Sequence, residues 1–284
     1  MRWSPGRSSQ DLEDRRGETG GRRFGIGGGR LGLGGLVVVL ILSLVFKQNF
    51  FSLVGIGDQS EPAPAGPVQS TPEEEKLKQF ISFVLDDVQA TWDQLLPEQT
   101  GKAYQHARLV LFRDAIESAC GFAEAATGPF YCPGDQKVYI DLGFYQQLAD
   151  RFGAPGDFAQ AYVLAHEIGH HVQRLLGTEA RMRQLQGDQP TQANELSVRF
   201  ELQADCYAGV WGSSAARRGE LDPGDAEEGL GAAAAVGDDR IQRMSTGRVS
   251  PEGFTHGSAE QRSRWFRQGL SSGRLASCDS FASP

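Results

Sequence analysis

Sixteen consecutive residues without a charge, 31–46 (LGLGGLVVVLILSLVF), divide this chain of 284 residues and limit what each side can become. A helix that crosses a bilayer wants ~20 residues at ~1.5 Å rise each. The run reaches that length through Phe50, Phe51, Leu53, Val54 and Ile56, with the stem of Lys47 extending toward the headgroups. Its glycines and its lack of a polar face are unlike an amphipathic core helix. The segment before it is too long for the basic region of a cleaved signal peptide, and no small-residue cleavage site follows closely. Residues 31–56 therefore read as one uncleaved transmembrane anchor. Residues 1–30 hold seven arginines against four acids, a local net charge of +3, whereas the chain beyond Lys47 sits at −12. That asymmetry predicts a single-pass protein of the plasma (inner) membrane, with a basic cytoplasmic tail at 1–30 and an acidic extracytoplasmic, periplasmic body. An acidic body also argues against a nucleic-acid groove, which needs a basic stripe.

Residues 57–72 (GDQSEPAPAGPVQSTP) carry four prolines and few bulky apolar groups, the composition of a linker. The body is then 73–284, one domain with a full core. Acids after Pro72 open a helix in which Phe80, Val84, Val88, Trp92 and Leu95 recur at helical spacing, ending at Leu96 before Pro97. Residues 108–113 (RLVLFR) and 137–142 (KVYIDL) are strand-like runs, and 143–152 is helical. Asp157 and Gln160 look like a capping pair for a helix whose seam is Phe158, Ala161, Ala165, Ile168, Val172 and Leu175, stopped by Gly177. Further helices are expected over 191–217, with glycine breakers at Gly209 and Gly212, and over 222–236 and 258–268. The fold class is α+β, helix-rich with a small sheet.

The seamed helix contains His166-Glu167-Ile168-Gly169-His170. Histidines four apart stand one turn apart on nearly one face, so both imidazoles can reach a single zinc ion at ~2.0–2.1 Å. Glu167 is rotated about 100° from His166. It is displaced from the ligand position yet near enough to take a proton from a water activated at the metal. Five histidines in all, three of them within six residues, set this apart from chance surface histidines. His171 points away from the pair and reads as partly exposed or as a support for the ligands. A catalytic zinc takes three protein ligands. Glu201, on the next long helix, is the expected third. Asp205, four residues on, would accept the outer N–H of a ligating histidine. Glu195 is the rival on that helix, facing roughly the other side. His256, in a Thr-His-Gly turn, could donate to the oxyanion of a tetrahedral intermediate, cap the following helix or lie on the surface.

These runs resemble the neutral zinc metallopeptidase family of the YpfJ type, within the wider Glu-zincin group. The resemblance extends from Met1-Arg2-Trp3 and Glu13-Asp14-Arg15-Arg16-Gly17 through the single anchor. It continues over Ala119-Cys120-Gly121, residues 128–133 (GPFYCP), the HEIGHH and ELQAD runs, and Phe254-Thr255-His256-Gly257-Ser258. It implies a zincin-like peptidase fold, with His166, His170 and Glu201 as zinc ligands, Glu167 as base and Asp205 as their support. A substrate is not implied.

Cys120, Cys132, Cys206 and Cys278 all fall on the expected outer side, where an even count reads as two disulfides with three possible pairings. The Gly/Pro-containing loop between Cys120 and Cys132 favours that pair, leaving Cys206 with Cys278. The expected activity is zinc-dependent hydrolysis of a peptide or protein substrate. A non-catalytic membrane-tethered scaffold with a relict zinc site, or a zinc hydrolase of a non-peptide bond, are the alternatives.

Overall fold

The computed structural model describes residues 1–6, 8–18, 70–124 and 128–282. The expected anchor at 31–56, and the linker up to residue 69, lie outside them. No helix among the described residues is long and apolar enough to cross a membrane.

The strand-like run at 108–113 forms β2 (Arg108–Phe112), in which four successive residues are buried, so both of its faces are covered. Such a strand is central and needs a hydrogen-bonding neighbour on each edge. One neighbour is β6 (Lys137–Asp141), parallel to it. The other comes from the amino-terminal tail: β1 (Leu12–Asp14) runs parallel to β2, with Leu12 opposite Leu109 and Asp14 opposite Leu111. The described part of the tail is therefore joined to the sheet of the body. Three residues with one apolar side chain carry no periodicity, and their pairing follows from the open edge of β2 and the ion pairs around it. Around β1, Arg16 is 4% exposed and donates to Asp14 and Glu75. Trp3 packs edge-on against Phe80, and the Met1 ammonium donates to Asp157 and Asp225.

β5 (Phe130–Cys132) adds antiparallel to β6, giving the order β1-β2-β6-β5. β3 (Ala115–Ser118) and β4 (Gly121–Glu124) form a separate hairpin.

Helix α1 (Pro72–Thr100) opens on a capping box of Thr71 and Glu74 and buries the predicted seam. It does not stop at Leu96 but runs through Pro97 to Gly101, which takes a left-handed conformation. The carbonyl that Pro97 leaves without a donor belongs to Asp93, an exposed residue, where water can serve it. α2 (Gly143–Asp150) leads to α3 (Asp157–Leu176), stopped by Gly177 as expected. The Asp157–Gln160 capping pair does not form; Gly156 is the cap position, and Asp157 turns to the Met1 ammonium instead.

α4 (Thr178–Asp188), α5 (Ala193–Arg217), α6 (Asp225–Ala235), α7 (Asp238–Thr246) and α8 (Ala259–Ser272) complete the body. Gly209 and Gly212 do not break α5. A Cβ at Gly209 would strike the Phe266 carbonyl, and one at Gly269 would strike that of Cys206, so α5 and α8 meet backbone to backbone. The core lies where α1, α3, α5 and α8 converge, with Phe158 stacked on Trp211 at 5.4 Å and Tyr162 edge-on to Phe266. The α+β class, helix-rich with a small sheet, holds. Both expected disulfides, Cys120–Cys132 and Cys206–Cys278, are formed.

Candidate metal centre

Two small residues bring the chemistry together. A Cβ at Gly169, in the middle of the HEIGHH run, would lie 3.0 Å from the carbonyl oxygen of Ala204, in the middle of ELQAD. Glycine there lets α3 and α5 approach closely enough, without a tight contact, for side chains one turn away on each helix to meet. His166 and His170 then face Glu201. His166 Nε2 is 3.2 Å from Glu201 Oε2, and His170 Nε2 is 3.5 Å from Glu201 Oε1. Two ligands at ~2.0–2.1 Å from zinc, set at the tetrahedral angle, stand ~3.4 Å apart. The spacing and the two-nitrogen, one-carboxylate donor set both fit a three-ligand catalytic zinc, and ligand atoms of all three residues lie within 4.8 Å of one another. Glu195 is on the surface, paired with Arg199, and has no part in this group.

Behind these three residues lies a buried network. Asp205, fully buried, accepts from His166 Nδ1 at 2.8 Å, from the Tyr162 hydroxyl, and from Arg262 Nε and Nη2 at 2.8 and 2.9 Å. A carboxylate on Nδ1 fixes the ring so that Nε2 is turned toward Glu201, where a metal would bind. Burial alone would push the Asp205 carboxyl up, yet the Arg262 guanidinium and His166 hold it below the usual range. Glu201 behaves alike: burial opposes its ionisation, but His170 and His166 hold it well down. Burial pulls His166 down, and the carboxylates of Asp205 and Glu201 outweigh this and push it up to about 10.

Arg262 and Tyr162 were not singled out from sequence. Tyr162 had a signal, being one turn before His166 on the same face. Arg262 had none, since its place depends on the contact of α8 with α5.

These residues form one wall of a cleft of about 680 Å³, which continues past Phe130, Phe144 and Phe152 and past Met182 and Phe200. Glu167 lines it, 8% exposed, and neither accepts a hydrogen bond nor joins an ion pair among the described residues. His256 also lines it, from the turn before α8. Asp238 Oδ2 collects the backbone N–H groups of Thr255, His256 and Gly257, while Oδ1 holds His256 Nδ1 at 3.1 Å. That bond to Asp238 raises the His256 pKa; burial opposes it and Glu201 adds to it. His171, expected to be partly exposed, is fully buried. It donates from Nε2 to the Gln105 carbonyl and accepts from the Tyr131 hydroxyl at Nδ1, tying α3 to β5 rather than supporting a ligand.

The family model described as "Putative neutral zinc metallopeptidase" matches residues 1–281. "Uncharacterized protein YpfJ" of Escherichia coli (strain K12) is 48% identical over 288 residues, covering 99% of this chain and 99% of that one. "Uncharacterized protein Rv2575" of Mycobacterium tuberculosis (strain ATCC 25618 / H37Rv) is 45% identical over 208 residues, covering 69% of this chain and 68% of that one. No solved structure matches the chain.

Proposed function

Because this chain belongs to the "Putative neutral zinc metallopeptidase" family, we propose that it is a zinc-dependent peptidase that hydrolyses a peptide or protein substrate in the cleft along α3. His166, His170 and Glu201 would hold the ion. When bound, zinc polarises a scissile carbonyl and lowers the pKa of water toward ~7. The rest of the chemistry belongs to the chain. Glu167 takes the proton from the attacking water and delivers it to the leaving amine. Asp205, Arg262 and Tyr162 keep His166 in one tautomer. With Nδ1 engaged by Asp238, His256 has Nε2 left to donate to the oxyanion, and its raised pKa favours the protonated form that can do so.

The observation that carries the reading is the state of Glu167. A nearly buried carboxylate with no hydrogen-bond or ion-pair partner among the described residues, on the cleft wall beside three side chains that could hold a metal, suits a general base better than a scaffold.

We further propose that the protein is membrane-associated through residues 31–56, with its body outside the cytoplasm, where the two disulfides are stable. The pairing of β1 with β2 supports placing residues 8–18 in that compartment too, so residues 31–56 would attach the chain to the membrane without crossing from one side to the other, in place of the expected single-pass topology with a cytoplasmic amino terminus.

The test uses the full chain in detergent, assayed on a mixed peptide library with zinc content measured in the same preparations. Wild type should hold one zinc and cleave. Glu167→Gln should keep the zinc and lose about 10²–10⁴-fold of the rate. A Glu167→Gln variant as fast as wild type removes the assigned base, and zinc-loaded wild type that cleaves nothing favours the scaffold.

A further inference from the structure

The two histidines are held in different ways. His166 rests on a carboxylate, whereas His170 rests on an amide: its Nδ1 is 2.8 Å from Gln173 Oε1. Gln173 is fully buried. Its Nε2 donates to the Phe200 carbonyl at 2.7 Å and to Gln203 Oε1 at 3.1 Å. Gln203, also buried, donates from Nε2 to the carbonyl of Cys278 at 2.9 Å. Cys278 ends the short turn Leu275–Cys278 and is bonded to Cys206, the residue after Asp205. Ser280 donates to the Arg199 carbonyl and fastens the same segment to α5.

The polarity of this chain of bonds is not arbitrary. A backbone carbonyl only accepts, so the Phe200 and Cys278 carbonyls require both glutamines to turn their NH₂ groups toward them. Gln203 Oε1 is thereby left to accept from Gln173, and Gln173 Oε1 is left facing His170. An acceptor at Nδ1 makes that nitrogen the protonated one and frees Nε2 for the metal. Two carbonyls thus select the tautomer of a ligand, one of them on the carboxyl-terminal segment.

Resting on the zinc reading above, we propose that Gln173 is a positioning residue for His170, and that the Cys206–Cys278 bridge sets zinc affinity through Gln203 although neither cysteine touches the site. The bridge holds the Cys278 carbonyl at α5, the carbonyl holds Gln203, Gln203 holds Gln173, and Gln173 holds the imidazole. Without the bridge the segment keeps its weaker ties, but the last acceptor of the relay is no longer fixed. The glutamine amides can then rotate, and His170 samples the tautomer that cannot bind.

The experiment measures zinc affinity of the full chain in detergent by competition with a chromophoric chelator, with thermal unfolding followed in the same samples. Gln173→Leu should bind zinc about 10–100-fold more weakly than wild type, as for loss of an outer-shell partner. Gln203→Leu and the paired Cys206→Ala/Cys278→Ala variant should each weaken binding by roughly 3–10-fold, and their combination should cost less than the product of the two. These last variants carry the test if Gln173→Leu does not fold. Removing the other bridge, Cys120→Ala/Cys132→Ala, should lower the unfolding temperature and leave zinc affinity unchanged, which separates positioning from general destabilisation. Wild type that takes up no zinc overturns the peptidase reading and this one with it. Wild type that binds zinc, beside Gln173→Leu or the Cys206/Cys278 variant within twofold of it, overturns this one alone.

Discussion

Glu201 and Glu195 are on one helix six residues apart, and their surroundings separate them: one faces two imidazoles, the other an arginine at the surface. Glu201→Gln should therefore lose most of the bound zinc, while Glu195→Gln keeps it, as elemental analysis of purified protein would show. The charge state of the metal-free site adds a second expectation. His166 is pushed up to about 10, so at pH 7 it holds a proton that zinc must displace, whereas Glu201 is already ionised. Zinc binding at pH 7 should release about one proton, and affinity should rise with pH, up to tenfold per unit, until His166 titrates. Calorimetry in two buffers of different ionisation enthalpy reads that proton, and its absence would place the charge elsewhere. Sequence could find His166, Glu167 and His170 because helical spacing alone puts them together. Glu201 and Asp205 needed that motif beside them. Arg262, Asp238 and Gln173 were invisible, since their roles arise where one helix or turn crosses another and follow from no spacing along the chain.

At the scale of elements, long amphipathic helices were legible and short or polar ones were not. α1 and α3 show their apolar seams directly in the residue order. α4 buries only Glu179 and α7 only Asp238, so neither has a seam to read. β1 and β5 are three residues each and exist through their neighbours. The seat of β1 is ionic as well as hydrogen-bonded. Its bond to Arg16, with Lys78 adding, holds the Asp14 carboxyl far below its ordinary range against the effect of burial. Burial opposes ionisation of Glu13, but Lys137 and Arg108 hold it down, and Ser70 and Arg16 do the same for Glu75. Carboxyls with lowered pKa contribute stability above their unfolded values and lose it as pH falls through the folded ones. Acid should thus release β1 before the helical core. Hydrogen exchange, corrected for its intrinsic pH dependence, should show amides 12–16 losing protection first below about pH 4. A chain cut to begin at residue 70 would leave the inner edge of β2 bare. It should unfold roughly 6–12 °C lower, or aggregate, corresponding to on the order of 3 kcal/mol.

For the molecule as a whole, one sheet joins residues on either side of the uncharged run, so both must share a compartment once folded. Ser8→Cys and Glu98→Cys, each at an exposed position, should be labelled by an impermeant maleimide in intact cells either both or neither. Labelling of one alone would mean that β1 is not docked in the cell. The same pairing also has a consequence for synthesis. Leu12 leaves the ribosome roughly a hundred residues before Leu109, a delay of ~5–20 s at ordinary elongation rates. During that interval the amino-terminal strand lacks the edge of β2, while on the proposed membrane association the apolar run behind it would already have met the bilayer. On that proposal the first residues would be committed to one side before the edge that receives them exists, and productive folding would depend on a delivery decided in advance.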